Sequence, residues 1–135
     1  SINLPALVWS GILIGSVGAI MDVSMSLASA MLELSEQMYE PSYKKLVVSG
    51  LNIGRDAIGT MTNTLILAYV GGSMATILLF TAYTRDIVVL LNYEMLIVEI
   101  IQAIVGSIGI LLAVPITVFF SAAVFLKNIK ISNKE

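Results

Sequence analysis

The chain of 135 residues contains no cysteine and no histidine. Disulfide bonds, thiol catalysis, zinc sites built from cysteine and histidine, and histidine acid–base chemistry are therefore excluded. Charge is scarce too, because 12% of the residues are charged, against about 25% in soluble domains. No basic cluster indicates a nucleic-acid partner, and no Walker loop, nucleophile elbow or dinucleotide fingerprint occurs. We expect no metal, no cofactor and no enzymatic activity.

Long apolar runs take the place of these features. Hydrophobic residues make up 58% of the chain, and its mean hydropathy is +0.97. No charge occurs in 1–21, 57–84 or 100–126, and a helix that spans a bilayer needs about 20 such residues. The sequence therefore predicts an all-α polytopic membrane protein, with a single transmembrane domain over 1–135 in contact with the lipid bilayer. We expect this domain to be part of a larger membrane assembly or chain.

Three spans are predicted, over about 5–34, 50–70 and 99–126, with a polar connection over 35–49. The basic side chains of that connection and of the C-terminal tail lie on one side of the membrane if there are three spans. The positive-inside tendency places this side in the cytoplasm.

The region after the second span is harder to assign. Gly71 and Gly72 are expected to end that span, since paired glycines break helices. The next apolar runs are short, and Arg85 and Asp86 interrupt them. We predict an interfacial or re-entrant hairpin over 72–98, and the alternative is a fourth span over 72–91.

Each predicted span carries an acidic residue: Asp22, Asp56 and Glu99. A carboxylate at membrane depth costs about 2.5–3.5 kcal/mol on insertion scales, so it needs a partner or a function. We take Asp22, Asp56, Asn63 and Glu99 as candidates for an ion or proton relay, and expect Asp22 to face Asn63 or Thr60 across the first two helices. The supporting polar residues are Asn52, Arg55, Thr60, Thr62, Gln102 and Thr117.

Polar and small residues form a stripe on the second helix. Asn52, Asp56, Gly59 and Asn63 lie within about 60° of each other. We expect this stripe to face other helices or a water-filled path, and the opposite apolar face to suit lipid. Glycines that permit close helix packing are Gly11, Gly15, Gly18, Gly59, Gly106 and Gly109.

Three stretches of the chain resemble the YibE/F-like family of bacterial multi-pass membrane proteins: 18–26 (GAIMDVSMS), 54–73 (GRDAIGTMTNTLILAYVGGS) and 106–117 (GSIGILLAVPIT). The resemblance implies a multi-pass location in the bacterial cytoplasmic (inner) membrane. The order of these helices is more loosely similar to part of the resistance–nodulation–division transporters and of SecD/SecF. In those proteins the aspartate that matches Asp22 belongs to a proton-coupling relay.

The leading functional hypothesis is a proton- or ion-coupled transport subunit that moves a small ion or solute through this polar network. Three spans are too few to enclose a path, so a homo-oligomer or a second membrane half is implied. The alternative is a structural or assembly membrane protein whose polar stripes only specify helix packing.

Overall fold

A computed structural model of the chain describes residues 3–83, 88 and 94–132, and nearly all of these lie in three long helices. They are α1 (Leu4–Gln37), α2 (Tyr43–Tyr83) and α3 (Glu94–Ser132). α1 begins at a cap in which the Asn3 side chain accepts a hydrogen bond from the Ala6 N–H at 3.4 Å. The described residues contain no strand, which confirms the all-α class.

Two of the helices are long and apolar enough to cross a membrane. These stretches are Pro5–Gln37, with a mean hydropathy of 1.8, and Leu96–Ile129, with 2.4. α2 supplies a third span if its two parts, Tyr43–Ala75 and Ile77–Tyr83, count as one. The described helices are thus those of a polytopic α-helical membrane protein.

The core lies where the C-terminal halves of α1 and α3 meet the beginning of α2. α3 packs most extensively against α1, then against α2, and α1 and α2 touch each other least. Ser42 starts α2 at this end, since its hydroxyl accepts from the Lys45 N–H at 3.3 Å. The fully buried apolar side chains are Val23, Leu27, Met31, Leu46, Ile110, Val114, Val118 and Ala122.

Because Ser42 caps α2, the connection between α1 and α2 is shorter than the predicted 35–49. Lys44 and Lys45 lie inside the first turn of α2, not in a loop. Both helices therefore extend past their apolar parts, and carry the charges of the connection on their ends.

The prediction that Gly71 and Gly72 end the second helix is wrong, because α2 continues through them to Tyr83. In water a glycine costs a helix about 1 kcal/mol relative to alanine. In lipid a broken helix leaves backbone groups without partners, which costs several kcal/mol for each group. The helical path is therefore the cheaper one, and the axis bends by 41° only after Ala75.

The predicted hairpin over 72–98 is described only in part. Residues 72–83 continue α2 and residues 94–98 belong to α3. Arg85 and Asp86 lie outside the described residues, and so do the rest of 84–87 and residues 89–91 of the alternative fourth span over 72–91.

Candidate functional site

A buried hydroxyl on α2 meets a carboxylate on α3. Ser73 is only 4% exposed, and its hydroxyl donates a hydrogen bond to the Glu99 side chain. The same hydroxyl lies 2.8 Å from the backbone carbonyl of Tyr69, one turn earlier in α2. Glu99 is half-buried, so the carboxylate reaches the helix interface but is not sealed inside it.

Two further polar side chains lie near this pair, where α1 comes close to α2 and α3. A methyl group added at Gly15 would lie 2.7 Å from the Tyr69 hydroxyl and 3.6 Å from Gln102 Nε2. A methyl group at Gly11 would lie 3.7 Å from the same Gln102 nitrogen. The two glycines of α1 therefore make the room that these polar groups occupy. We call Ser73, Glu99, Tyr69 and Gln102 the Glu99 site.

The hydrogen bonds of the Glu99 site depend on protonation. A serine hydroxyl carries one proton and two lone pairs. When Glu99 is ionised, the Tyr69 carbonyl and the carboxylate compete for the single proton of Ser73. When Glu99 is protonated, its own O–H donates to Ser73, and Ser73 is then free to donate to the Tyr69 carbonyl. The Ser73 hydroxyl can therefore bond to Glu99 in either protonation state of the carboxyl, with donor and acceptor exchanged.

Asp22 lies outside this site. Its side chain is exposed, and it makes no hydrogen bond or ion pair with any described residue. The expected contact with Thr60 or Asn63 is not formed: the Thr60 hydroxyl donates to the Asp56 carbonyl of its own helix at 3.1 Å, and Asn63 is exposed. Along α2, Asp56 lies about 25 Å from Ser73 by helix rise. A single chain does not bring the three acids together.

The polar stripe of α2 does not face α1 or α3. Asn52, Asp56, Gly59 and Asn63 are exposed, and so is Arg55. The opposite face packs on α1 and α3 through half-buried Ile53, Ala57, Met61 and Leu65. Lipid and helix interiors are both apolar, so the apolar pattern alone does not tell which of them a face meets. An open groove runs along the polar stripe, lined by Arg55, Asp56, Gly59, Thr60, Asn63, Thr64 and Leu67.

Two other predicted polar residues, Thr117 and Thr62, differ in their contacts. Thr117 donates to the Ser24 hydroxyl at 3.2 Å and so joins α3 to α1. Thr62 Oγ1 is buried and has no hydrogen-bond partner in the described part of the chain. Buried hydroxyls normally have one, so Thr62 marks a polar position that its surroundings do not satisfy.

The predicted packing glycines also separate into two groups. Methyl groups at Gly106 and Gly109 would lie 2.7 Å from Leu65 and 2.8 Å from Ile20, so both glycines face a neighbouring helix, as Gly11 and Gly15 do. Gly18 and Gly59 have nothing within 4 Å of an added methyl. Gly50 and Gly54 also face neighbouring helices, although neither was predicted to be a packing glycine. A methyl group at Gly50 would press on Met31, and one at Gly54 would press on Val114.

Ser73 and Tyr69 were also missed. They are four residues apart and share a helix face with Thr62, which is visible only if the second helix continues past Gly72. The assumption that paired glycines stop a helix removed Ser73 from consideration.

The fold and these polar faces define a polytopic α-helical membrane protein. The model of the YibE/F-like protein family matches residues 1–127, and the chain belongs to this family. Searches of curated proteins and of solved structures gave no match. The looser similarity to the resistance–nodulation–division and SecD/SecF proteins therefore has no support from these comparisons.

Proposed function

We propose that this chain is a proton- or ion-coupled transport subunit of the bacterial cytoplasmic membrane, not an enzyme, and that Glu99 is the group that gains and loses the proton. One observation carries the proposal: the Ser73 hydroxyl is within hydrogen-bond reach of both the Tyr69 carbonyl and the Glu99 carboxylate. A transport site must have two states that differ in charge and in helix contacts. The geometry of the Glu99 site supports this proposal, because protonation of Glu99 would exchange donor and acceptor in the bond between α2 and α3.

Asp22 is the second group in this proposal, and Thr62 is its nearest polar counterpart by register. Gly15 meets Tyr69, and Leu27 meets Gly54, so α1 and α2 run antiparallel. Seven residues, about two turns, separate Gly15 from Asp22 and also Thr62 from Tyr69. Asp22 therefore lies level with the unpaired Thr62 hydroxyl, on the same side of α1 as Gly15. A chain of polar groups from Asp22 through Thr62 towards the Glu99 site follows one seam of the molecule.

Three helices do not enclose a path for an ion or solute, and both Asp22 and Asp56 are exposed on this chain. The transport subunit therefore acts as a homo-oligomer or with a second membrane half.

The alternative is a structural or assembly membrane protein. The Thr117–Ser24 hydrogen bond and the glycines at helix contacts favour it, because such bonds and close approaches hold membrane helices together without any transport. Under this alternative, Glu99 serves only as a fixed acceptor for Ser73.

Glu99→Gln separates the two functions. The amide keeps the shape and donates a hydrogen bond to Ser73, as the protonated acid does, but it does not titrate. The test measures thermal unfolding in detergent, together with proton flux into liposomes that contain the complete assembly purified from its native membrane. We expect unchanged unfolding and loss of flux. The matched control is Glu94→Gln, since Glu94 is an exposed carboxylate in the first turn of α3. Wild-type flux in Glu99→Gln would reject the transport role of Glu99, and unfolding would assign it a structural one.

A further inference from the structure

The outward stripe of α2 carries two opposite charges without partners in the chain. Arg55 and Asp56 are exposed, and neither forms an ion pair with any described residue. Neighbours in a helix point about 100° apart, so the two side chains cannot satisfy each other. Charged groups on a membrane helix face a protein partner or a water-filled cavity, not lipid. A partner that covers this stripe has to provide both charges.

We propose that α2 pairs with α2 of a second copy of this chain about a two-fold axis along the membrane normal, and that Arg55 of each copy binds Asp56 of the other. The proposal rests on the membrane location of the helices and is independent of transport activity.

The positions of the two charges fit a two-fold pair. Asp56 lies at one edge of the stripe, about 30° from its centre, and Arg55 lies beyond the other edge, about 70° from the centre, by helix geometry. Two copies inserted in the same direction have parallel α2 helices, and a two-fold axis sets the left flank of one against the right flank of the other. Because Arg55 and Asp56 differ in height by only about 1.5 Å, the two reciprocal pairs form at one level.

The centre of the stripe permits the close contact that these pairs require. Gly59 has nothing within 4 Å of an added methyl, and small residues let membrane helices approach each other closely. Asn63, one turn further on, is exposed. Its carboxamide has N–H donors and an acceptor oxygen, so it can form a hydrogen bond with Asn63 of the second copy across the axis.

These properties favour a second copy over an unrelated protein. A two-fold interface uses the same patch twice, so the patch must be complementary to itself. The α2 stripe meets this condition, with a positive flank, a negative flank, a glycine and an amide that is its own partner. A different protein would have to carry its own acid and base at matching positions, which a second copy provides by symmetry.

Cysteine cross-linking tests the pairing, since the chain contains no cysteine of its own. We expect Asn63→Cys to form a disulfide-linked dimer on mild oxidation in native membranes. The control is Ile108→Cys on α3. Gly106 on α3 faces Leu65 on α2. Because the two helices run antiparallel, Ile108, two residues after Gly106, lies at the same membrane depth as Asn63, two residues before Leu65. Ile108 is also 51% exposed. Equal dimer from both positions, no dimer from Asn63→Cys, or a product of another mass would overturn the proposal.

A charge exchange in the Asn63→Cys background tests the reciprocal ion pairs. Arg55→Asp sets two carboxylates against each other, and Asp56→Arg sets two guanidinium groups together, so we expect each change to lower dimer yield at least fivefold. The double variant restores opposite charges, and its yield should return to that of Asn63→Cys alone. A double variant that stays low would overturn the pairing. The double variant decides the question even where a single variant does not accumulate.

Discussion

Ser73 on α2 and Glu99 on α3 form the only side-chain hydrogen bond between these two helices within the described residues. Ser73 lies directly after the paired glycines, in a part of α2 that stays helical. The bond lies far from the apolar core, which is formed at the other end of α2 around Leu46. Apolar contacts therefore hold one end of the α2–α3 pair, and a polar contact holds the other.

Ser73→Ala removes the hydroxyl from this contact. We expect the free energy of unfolding in detergent to fall by about 1–2 kcal/mol, since the Glu99 carboxyl loses its donor. The control is Ser107→Ala, because the Ser107 hydroxyl donates only to the Ala103 carbonyl of its own helix, at 2.7 Å, and its removal should cost less than about 0.5 kcal/mol. Equal losses in the two variants would show that Ser73 contributes no link between helices.

Gly54 on α2 faces Val114 on α3. A methyl group there would overlap Val114, a buried and branched side chain. We expect Gly54→Ala to destabilise the protein by about 1–3 kcal/mol, as overpacking of a core does. Gly18→Ala is the control, because an added methyl at Gly18 meets nothing within 4 Å and alanine favours the helix. The prediction fails if Gly54→Ala unfolds at the same temperature as Gly18→Ala.

Thr62 offers a change that should increase stability. Its hydroxyl oxygen is buried without a partner in the described residues, and an unsatisfied group of this kind costs about 1–3 kcal/mol. Valine has nearly the same shape, so we expect Thr62→Val to raise the free energy of unfolding by about 1 kcal/mol. Thr64→Val should not, because the Thr64 hydroxyl is exposed and already donates to the Thr60 carbonyl at 2.9 Å. A loss of stability in Thr62→Val would mean that its hydroxyl has a partner, for which Asp22 is the nearest candidate by register.

The three-span topology is open to labelling with a membrane-impermeant maleimide. Lys45→Cys and Lys127→Cys should react only after the cells are broken, since positive charges remain in the cytoplasm. Tyr83→Cys, at the far end of α2 and 81% exposed, should react in intact spheroplasts. Reaction of Lys45→Cys and Lys127→Cys from opposite sides would require an odd number of spans between them, as in the four-span alternative.

The class of protein and the faces of α3 were predictable, while the orientation of α2 was not. Uncharged runs longer than 20 residues leave few choices in a bilayer, and the small and polar residues of α3, such as Gly106 and Thr117, do face its neighbours. On α2 the apolar face was expected to meet lipid but packs on α1 and α3, because apolar residues suit lipid and helix contacts equally. Ser73 was not predicted for a different reason. Paired glycines end helices in water, but in lipid the backbone groups have no water to bond, so the helix continues.

The unbroken course of α2 has a mechanical consequence. From Tyr43 to Ala75 the helix forms one rod, about 50 Å long by helix rise, whereas the hydrocarbon layer of a bilayer is about 30 Å thick. A single stiff element therefore carries Lys45 at one end and Ser73 near the other. When the contact between Ser73 and Glu99 loosens, the rod has no joint before Ala75 to absorb the movement, so it tilts as a whole. A displacement of α2 near Ser73 is in this way transmitted to the Lys45 end, at the opposite surface of the membrane.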